Sequence, residues 1–368
     1  MTHLHTRVGL AALFATSAVT LGLLQACSTS AGTADGGTST TAARWPDRPS
    51  GPAVTGTDVH NYALRKLFLG DNATWKKYGY DLDGKKTTKD SADVCKPAAG
   101  APKTNQEDGD NGVDNSFGRN VMPIVSNLRS SAQTEVNTAL EDGKFTIMVV
   151  TKGWTPSDAK FTGTGISAKL YAGGVFSETS KPTWTTADDW PVVSSLLSDP
   201  TNVESSKIVL AEAYGSNGTF VSGSPTKVSL SLSFGGIDLG LDIEQAIITM
   251  DINGTSATNG RIAGIINVST LIDGLRDLGG KFSTSLCKGS TFDSIADQIR
   301  QAADMLSDGT NAPGKDCDAI SIGLAFDATE IGAPKRVAPP PPIAPDPCAE
   351  DAGTDAGGTT DAGVDGSK

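Results

Sequence analysis

Histidine is the scarcest reactive residue in this chain, with three in 368 residues. His3 and His5 lie at the extreme N-terminus, so His60 stands alone in the body. A Ser-His-Asp or Cys-His nucleophile would have to be built on that one residue. No Gly-x-Ser-x-Gly elbow accompanies it, and we read His60 as an exposed residue at a domain edge. Cysteine is also rare, and none of the five stands in Cys-x-x-Cys spacing, which argues against a zinc centre. Basic residues are outnumbered 30 to 42, for a formal charge of −12. That balance supplies no basic face for nucleic acid and no charge attraction to an anionic lipid surface. The run Gly79-Tyr80-Asp81-Leu82-Asp83-Gly84-Lys85-Lys86 approaches a P-loop. Lys86 replaces the hydroxyl that would hold magnesium, and two aspartates inside the loop would repel phosphate.

The N-terminus carries a clearer signal. Arg7 is followed by an apolar run from Val8 to Leu24 and then by Gln25-Ala26-Cys27. A basic start, an apolar centre and a small residue before the cut describe a cleaved export signal. The run is short for a membrane span, contains Thr16, Ser17 and Thr20, and lacks a basic stop-transfer flank. Leu24-Gln25-Ala26-Cys27 resembles the lipobox of bacterial lipoproteins. The resemblance implies cleavage after residue 26 and acylation of Cys27, hence anchoring to a membrane. Ser28, where an aspartate would retain a Gram-negative lipoprotein at the inner membrane, implies the outer membrane. Removal of residues 1–26 takes away Arg7 and leaves a formal charge of −13.

Four further cysteines, Cys95, Cys287, Cys317 and Cys348, would meet an oxidising compartment and form two disulfides. Of three connectivities, Cys287–Cys317 is favoured because the two bracket one helical segment, leaving Cys95–Cys348.

Composition divides the remainder. Residues 27–56 are rich in Ser, Thr and Gly and read as a flexible tether. A globular region spans 57–335, helical and loop-rich over 57–143 and β-rich over 144–335. Pro339-Pro340-Pro341-Pro342 opens a spacer, and the Asp-Ala-Gly repeats beyond it cannot bury a core. Apolar positions from Val121 to Leu140, three and four apart, predict one amphipathic helix. Val228, Leu230, Leu232 and Phe234 alternate with serines, and Ile237, Leu239, Leu241 and Ile243 alternate with polar or small residues. With Gly235-Gly236 between them, these runs predict a hairpin. Similar alternation continues through 246–252, 262–268 and 320–326, and residues 207–214 and 219–222 predict a second hairpin. Helices are expected over 271–278 and 292–306. The expected fold is mainly β with a few helices (α+β), an antiparallel β-sandwich-like domain with covering helices and a polar face in water.

Carboxylates are the strongest candidates for chemistry. Asp81 and Asp83 share one turn, while Asp108, Asp110 and Asp114 share a second, in Glu107-Asp108-Gly109-Asp110-Asn111-Gly112-Val113-Asp114. Carboxylates alternating around glycine turns suit a hard cation that takes six to eight oxygens, so calcium is the expected metal. The run resembles Asp-x-Asp-x-Gly calcium loops but not an EF-hand, because Arg119 stands where a bidentate glutamate belongs. Trp154, Trp184 and Trp190, in a chain only 6% aromatic, form a second candidate, a platform for a glycan or another flat ligand.

Three phrases, Tyr80-Asp81-Leu82-Asp83-Gly84, Gly112-Val113-Asp114-Asn115-Ser116-Phe117-Gly118 and Cys317-Asp318-Ala319-Ile320-Ser321-Ile322-Gly323, resemble uncharacterised bacterial surface lipoproteins. The resemblance implies no activity for any residue. The expected function is therefore that of a non-enzymatic, membrane-anchored surface lipoprotein with a binding, adhesion or envelope-structural role and a glycan or protein ligand. The alternatives are a polysaccharide hydrolase using paired carboxylates and a carrier of lipid or another apolar ligand.

Overall fold

The computed structural model describes residues 44–234, 237–338 and 348. The export signal, Cys27, most of the tether, the Gly235-Gly236 turn, the proline run and the Asp-Ala-Gly repeats lie outside the described residues. The strands are β1 (Val59–Phe68), β2 (Thr146–Lys152), β3 (Gly163–Gly173), β4 (Val192–Val193), β5 (Ile208–Ser216), β6 (Thr219–Val221), β7 (Thr226–Phe234), β8 (Ile237–Asn253), β9 (Ser256–Asn267), β10 (Ala319–Ile331) and β11 (Val337–Ala338). The helices are α1 (Met122–Leu128), α2 (Ala132–Glu141), α3 (Val268–Phe282) and α4 (Ser290–Gln301). None is long and apolar enough to cross a membrane.

Eight strands close into an antiparallel barrel in the order β1-β2-β3-β5-β6-β8-β9-β10 and back to β1. This corrects the sandwich expectation. Alternation marks one buried face on each strand, which a sandwich and a barrel share. The deciding contact is β3 with β5, where Leu170 pairs with Ile208 across the excursion that carries β4. β4, β7 and β11 lie off the ring. β8 is long enough for two partners. Its first half pairs with β7, and beyond an irregularity at Gln245 its second half joins β6.

The interior of an eight-stranded barrel is just wide enough for side chains to fill. Ile147, Ile166, Phe220, Ile248, Met250, Ile262, Ile320, Ile322 and Leu324 belong to the one large core cluster that occupies it. The outer wall is not left to water either. Ala63, Met148 and Tyr171 lie beneath Trp184, Trp190 and Leu197, while Ile247 and Ala263 pack with Tyr80 and Tyr214. The wall therefore carries an apolar cladding where a Ser/Thr/Asp face in water was expected.

The region 57–143 opens with a strand. Tyr62, Ala63 and Leu64 are all buried, because both faces of β1 are covered, and period two is lost there. The single helix expected over 121–140 is broken at Arg129, whose backbone is extended. Glu135 accepts from the side chains of both Arg129 and Ser131 and so fixes the break.

β1 is too short for its neighbours. It leaves β10 at the Phe68–Ala325 pair, so Ala319–Leu324 have no strand on that edge. Side chains take the place of a strand. Asn115 donates through Nδ2 to the Gly323 carbonyl (2.9 Å) and accepts from the Gly323 N–H at Oδ1 (3.0 Å). Asp304 accepts from the Ser321 N–H (2.8 Å), and Met305 exchanges backbone bonds with Ala319. On the other edge, Asn137 and Gln133 of α2 satisfy the backbone of Leu67 and Leu69.

The disulfides are Cys95–Cys317 and Cys287–Cys348, which corrects the favoured pairing. A twelve-residue helix spans about 18 Å, so α4 carries the chain away from Cys287. Cys317 instead lies beside residue 96, whose carbonyl accepts from its N–H (2.9 Å).

Gly323 packs against the strap so closely that a Cβ there would sit 2.1 Å from the Tyr78 carbonyl oxygen. Gly323→Ala should cost about 1–3 kcal/mol in urea unfolding, as overpacking does. Asn115→Ala should cost about 1–3 kcal/mol for each backbone group it orphans. A loss for Asn115→Ala below about 0.5 kcal/mol, the range of an ordinary surface change, would remove it from the role of strand substitute.

Candidate cation site on the barrel wall

The strap that covers the unpaired half of β10 runs through residues 78–118, and its carboxylates gather beneath it. The Asp114 N–H donates to the Tyr80 carbonyl (3.0 Å), bringing the two aspartate turns together. Asp114 Oδ2 accepts from the Leu82 N–H (2.6 Å), Asp81 Oδ1 from the Gly84 N–H (2.6 Å) and Asp83 Oδ1 from the Lys85 N–H (2.8 Å). Ligand oxygens of Asp81, Asp83 and Asp114 lie within 4.8 Å of one another. Asp108 joins from the second turn, accepting from the Thr87 N–H, and its charge acts on Asp114. Gly112 makes the approach feasible. Its φ is +87°, and a Cβ there would meet the Lys85 carbonyl oxygen at 2.8 Å.

Asp81 and Asp114 are each 2% exposed and Asp304 6%, whereas Asp83 and Asp108 are half-buried. Desolvation, then the Asp83, Asp108 and Asp304 charges, holds Asp114 well above the usual carboxylate range. Desolvation, with the Asp83 and Asp304 charges adding, raises Asp108 to about 8. Asp304 is raised by burial to about 7 although both of its oxygens accept from Ser321. Asp81 is also raised by burial, against hydrogen bonds from Gly84 and Lys85 and the charge of Arg44. Two nearby cations are engaged elsewhere, Lys85 with Asp93 (3.1 Å) and Arg119 with Glu107 (2.8 Å), while Arg44 stays beside Gly84.

Two polar atoms point to something further. Asp83 Oδ2 is wholly buried and, among the described residues, accepts no hydrogen bond. Thr87 is 4% exposed, its backbone exchanges hydrogen bonds with Asp108, and its hydroxyl has no partner among the described residues. A hard cation would be held by Asp81, Asp83 and Asp114, with Asp108 beside them, and would offset the like charges that burial makes costly.

The other candidate residues fall elsewhere. Asp110 is exposed on its turn and is not part of the triad. His60 sits on β1 with Nδ1 2.6 Å from Glu330 Oε1, and among the described residues no serine or cysteine side chain bonds its ring. Trp154 is 1% exposed between Phe161 and Phe220, and Trp190 is fully buried against Phe176 and Trp184. No ring of the three presents a face to solvent. Sequence reasoning missed Asp304, which follows a helix with no turn signature, and Thr87, a threonine in a polar run. Asn115 lay in view within a quoted phrase, without a sign of its role.

No family model, curated protein or solved structure matches this chain.

A carboxyl raised by folding binds its proton more tightly folded than unfolded. Its stabilisation is fully present below the unfolded pKa near 4 and is lost as pH rises through the folded value. With Asp108 near 8 and Asp304 near 7, protein in chelator should unfold at lower urea at pH 8 than at pH 5. The groups facing them are Asp81, Asp83 and Asp114, with Arg44 acting on Asp81. Asp108→Asn should flatten the dependence. A urea midpoint that rises between pH 5 and pH 8 would contradict this account.

Proposed function

We propose that this chain is an exported lipoprotein, acylated at Cys27, that holds a calcium-bound β-barrel at the cell envelope, in the outer membrane where the host has one. Its role is non-enzymatic: binding, adhesion or envelope structure, with a glycan or protein met on the barrel's outer surface. The observation that carries the calcium reading is the buried carboxylate cluster, with Asp83 Oδ2 unpartnered and the nearby Lys85 and Arg119 committed to other acids. Two disulfides suit an oxidising compartment, and the lipobox and tether supply the route to the membrane.

The rival readings have less support. A glycosidase needs two carboxylates flanking a sugar in a cleft, and Asp81 and Asp114 are buried beneath the strap. An apolar carrier needs a cavity, and large side chains fill the barrel. A groove of about 790 Å³ lies outside it, lined by Pro97, Ala98, Val268 and Ile272 together with Lys96, Asp273, Arg300, Asp316 and Asp318, and five charged residues in the lining suit a lipid chain poorly.

Calorimetric titration of chelator-treated mature protein at neutral pH should give one saturable calcium site. Calcium at a hundredfold excess over Kd should stabilise the fold by about 2.7 kcal/mol. Asp114→Asn should weaken binding at least tenfold. No heat at millimolar calcium and an unchanged Tm would end the calcium reading. Mass spectrometry of the native protein should find acyl chains on Cys27, and a chain starting at Met1 would end the anchoring reading.

A further inference from the structure

We propose that the cation site is also the latch of the lipid tether: a divalent cation on Asp81, Asp83 and Asp114 holds residues 44–48 against the barrel wall, and its loss releases them. The inference rests on the cation reading above and adds a regulated reach to it.

The last part of the tether is seated beside the site. Trp45 meets Tyr80 edge-on, with ring centroids 5.9 Å apart, and packs on a wall formed by Tyr80, Tyr214, Val221, Ile247 and Ala263. The Tyr214 hydroxyl donates to the Pro46 carbonyl, and Arg48 donates to the Glu212 carbonyl (3.1 Å). The next firm attachment is the Val54 N–H to the Thr164 carbonyl (2.8 Å).

Tyr80 links the two features. Its carbonyl accepts from the Asp114 N–H, its hydroxyl bonds Thr249 (2.7 Å), and Asp81 follows it directly. A cation that draws Asp81, Asp83 and Asp114 together fixes the backbone on which the Tyr80 ring stands. Without it, whichever of these carboxyls ionise repel one another and push residues 80–84 away from 114, and Trp45 loses the edge of its seat.

Arg44 acts in the opposite sense. Its guanidinium lies near Gly84 and favours the charged form of Asp81, so an incoming cation weakens its hold. Arg44 is exposed, and solvent screens that attraction. Trp45 is half-buried on five apolar residues and its packing is not screened. The aromatic contact therefore decides the sign: cation bound, tether short. Release as far as Ala53 frees residues 44–52, which at roughly 3.3 Å per residue lengthens the reach by at most about 30 Å.

Trypsin digestion of the acylated protein in detergent tests this. Cleavage of the Arg44–Trp45 bond requires the flanking residues 45–48 to leave the wall. Chelator should speed that cut at least tenfold over calcium. Trp45→Ala should be cut fast in both conditions while still binding calcium, its affinity weakened by no more than the factor by which calcium slows the wild-type cut, which separates the latch from the site. Asp114→Asn should be cut fast even in calcium. Equal cleavage of wild-type protein with and without calcium, in a protein that binds calcium by calorimetry, overturns the latch and leaves the cation reading intact. Absence of calcium binding overturns both.

Discussion

The structure depends on a shortage of strand. β1 stops at Phe68 while β10 runs back to Ala319, so the barrel would have an open seam of unpaired backbone. Buried N–H and C=O groups cannot be left so, because each orphan costs about 1–3 kcal/mol. An amide side chain carries one donor group and one acceptor, the same pair as a peptide unit. Asn115 uses both on Gly323, and Asn137 and Gln133 do the same along the end of β1. The closure of the barrel is thus delegated to residues far away in sequence, 208 positions in the case of Asn115 and Gly323.

That delegation places the carboxylates. Asn115 can reach Gly323 only if the strap lies flat on β10, and Asp114 then faces inward next to Asp81 and Asp83. Ser116 completes the contact, its N–H donating to Ser321 Oγ (2.8 Å), while Ser321 donates to Asp304. The three sequence phrases at 80–84, 112–118 and 317–323 therefore meet at one place. The electrostatic cost of the cluster follows from the geometry that seals the seam, and proton uptake or a bound cation can offset it.

How much of this was legible depends on whether the informative contact was local. The β7–β8 alternation, Val228 to Ile243, was readable because each residue's neighbours on its own strand fix its face. The β5–β6 hairpin around Asn217-Gly218 was readable from its turn. Closure was not, since β3 meets β5 across an excursion with little regular structure. Burial on both faces hid β1, where Tyr62, Ala63 and Leu64 show no period. Within the site, Asp81, Asp83, Asp108 and Asp114 were visible as turn carboxylates, and only the fold separates them from Asp110. Asp304 carried no signal, because its role is set by Ser321 on a neighbouring element. The disulfide pattern failed for the same reason: Cys95 meets Cys317 through the strap, not along the chain.

Side chains fill the barrel interior, and the carboxylate cluster lies in the cladding outside its wall. The strap is fastened in three ways that respond to different conditions. The Asn115 and Ser116 hydrogen bonds set its position and need nothing from outside. The Cys95–Cys317 disulfide holds it wherever the compartment is oxidising. The carboxylate cluster is the fastening that protons act on, and at the proposed cation site a divalent cation would act on it too. The first two hold the strap at 115–116 and, midway along it, at residue 95, while residues 80–84 lie outside the stretch between them, held by the Tyr80 hydrogen bonds to Asp114 and Thr249 and by the cluster. Trp45 rests on Tyr80, so the proposed cation site and the residues that lead into the barrel share one segment of the strap.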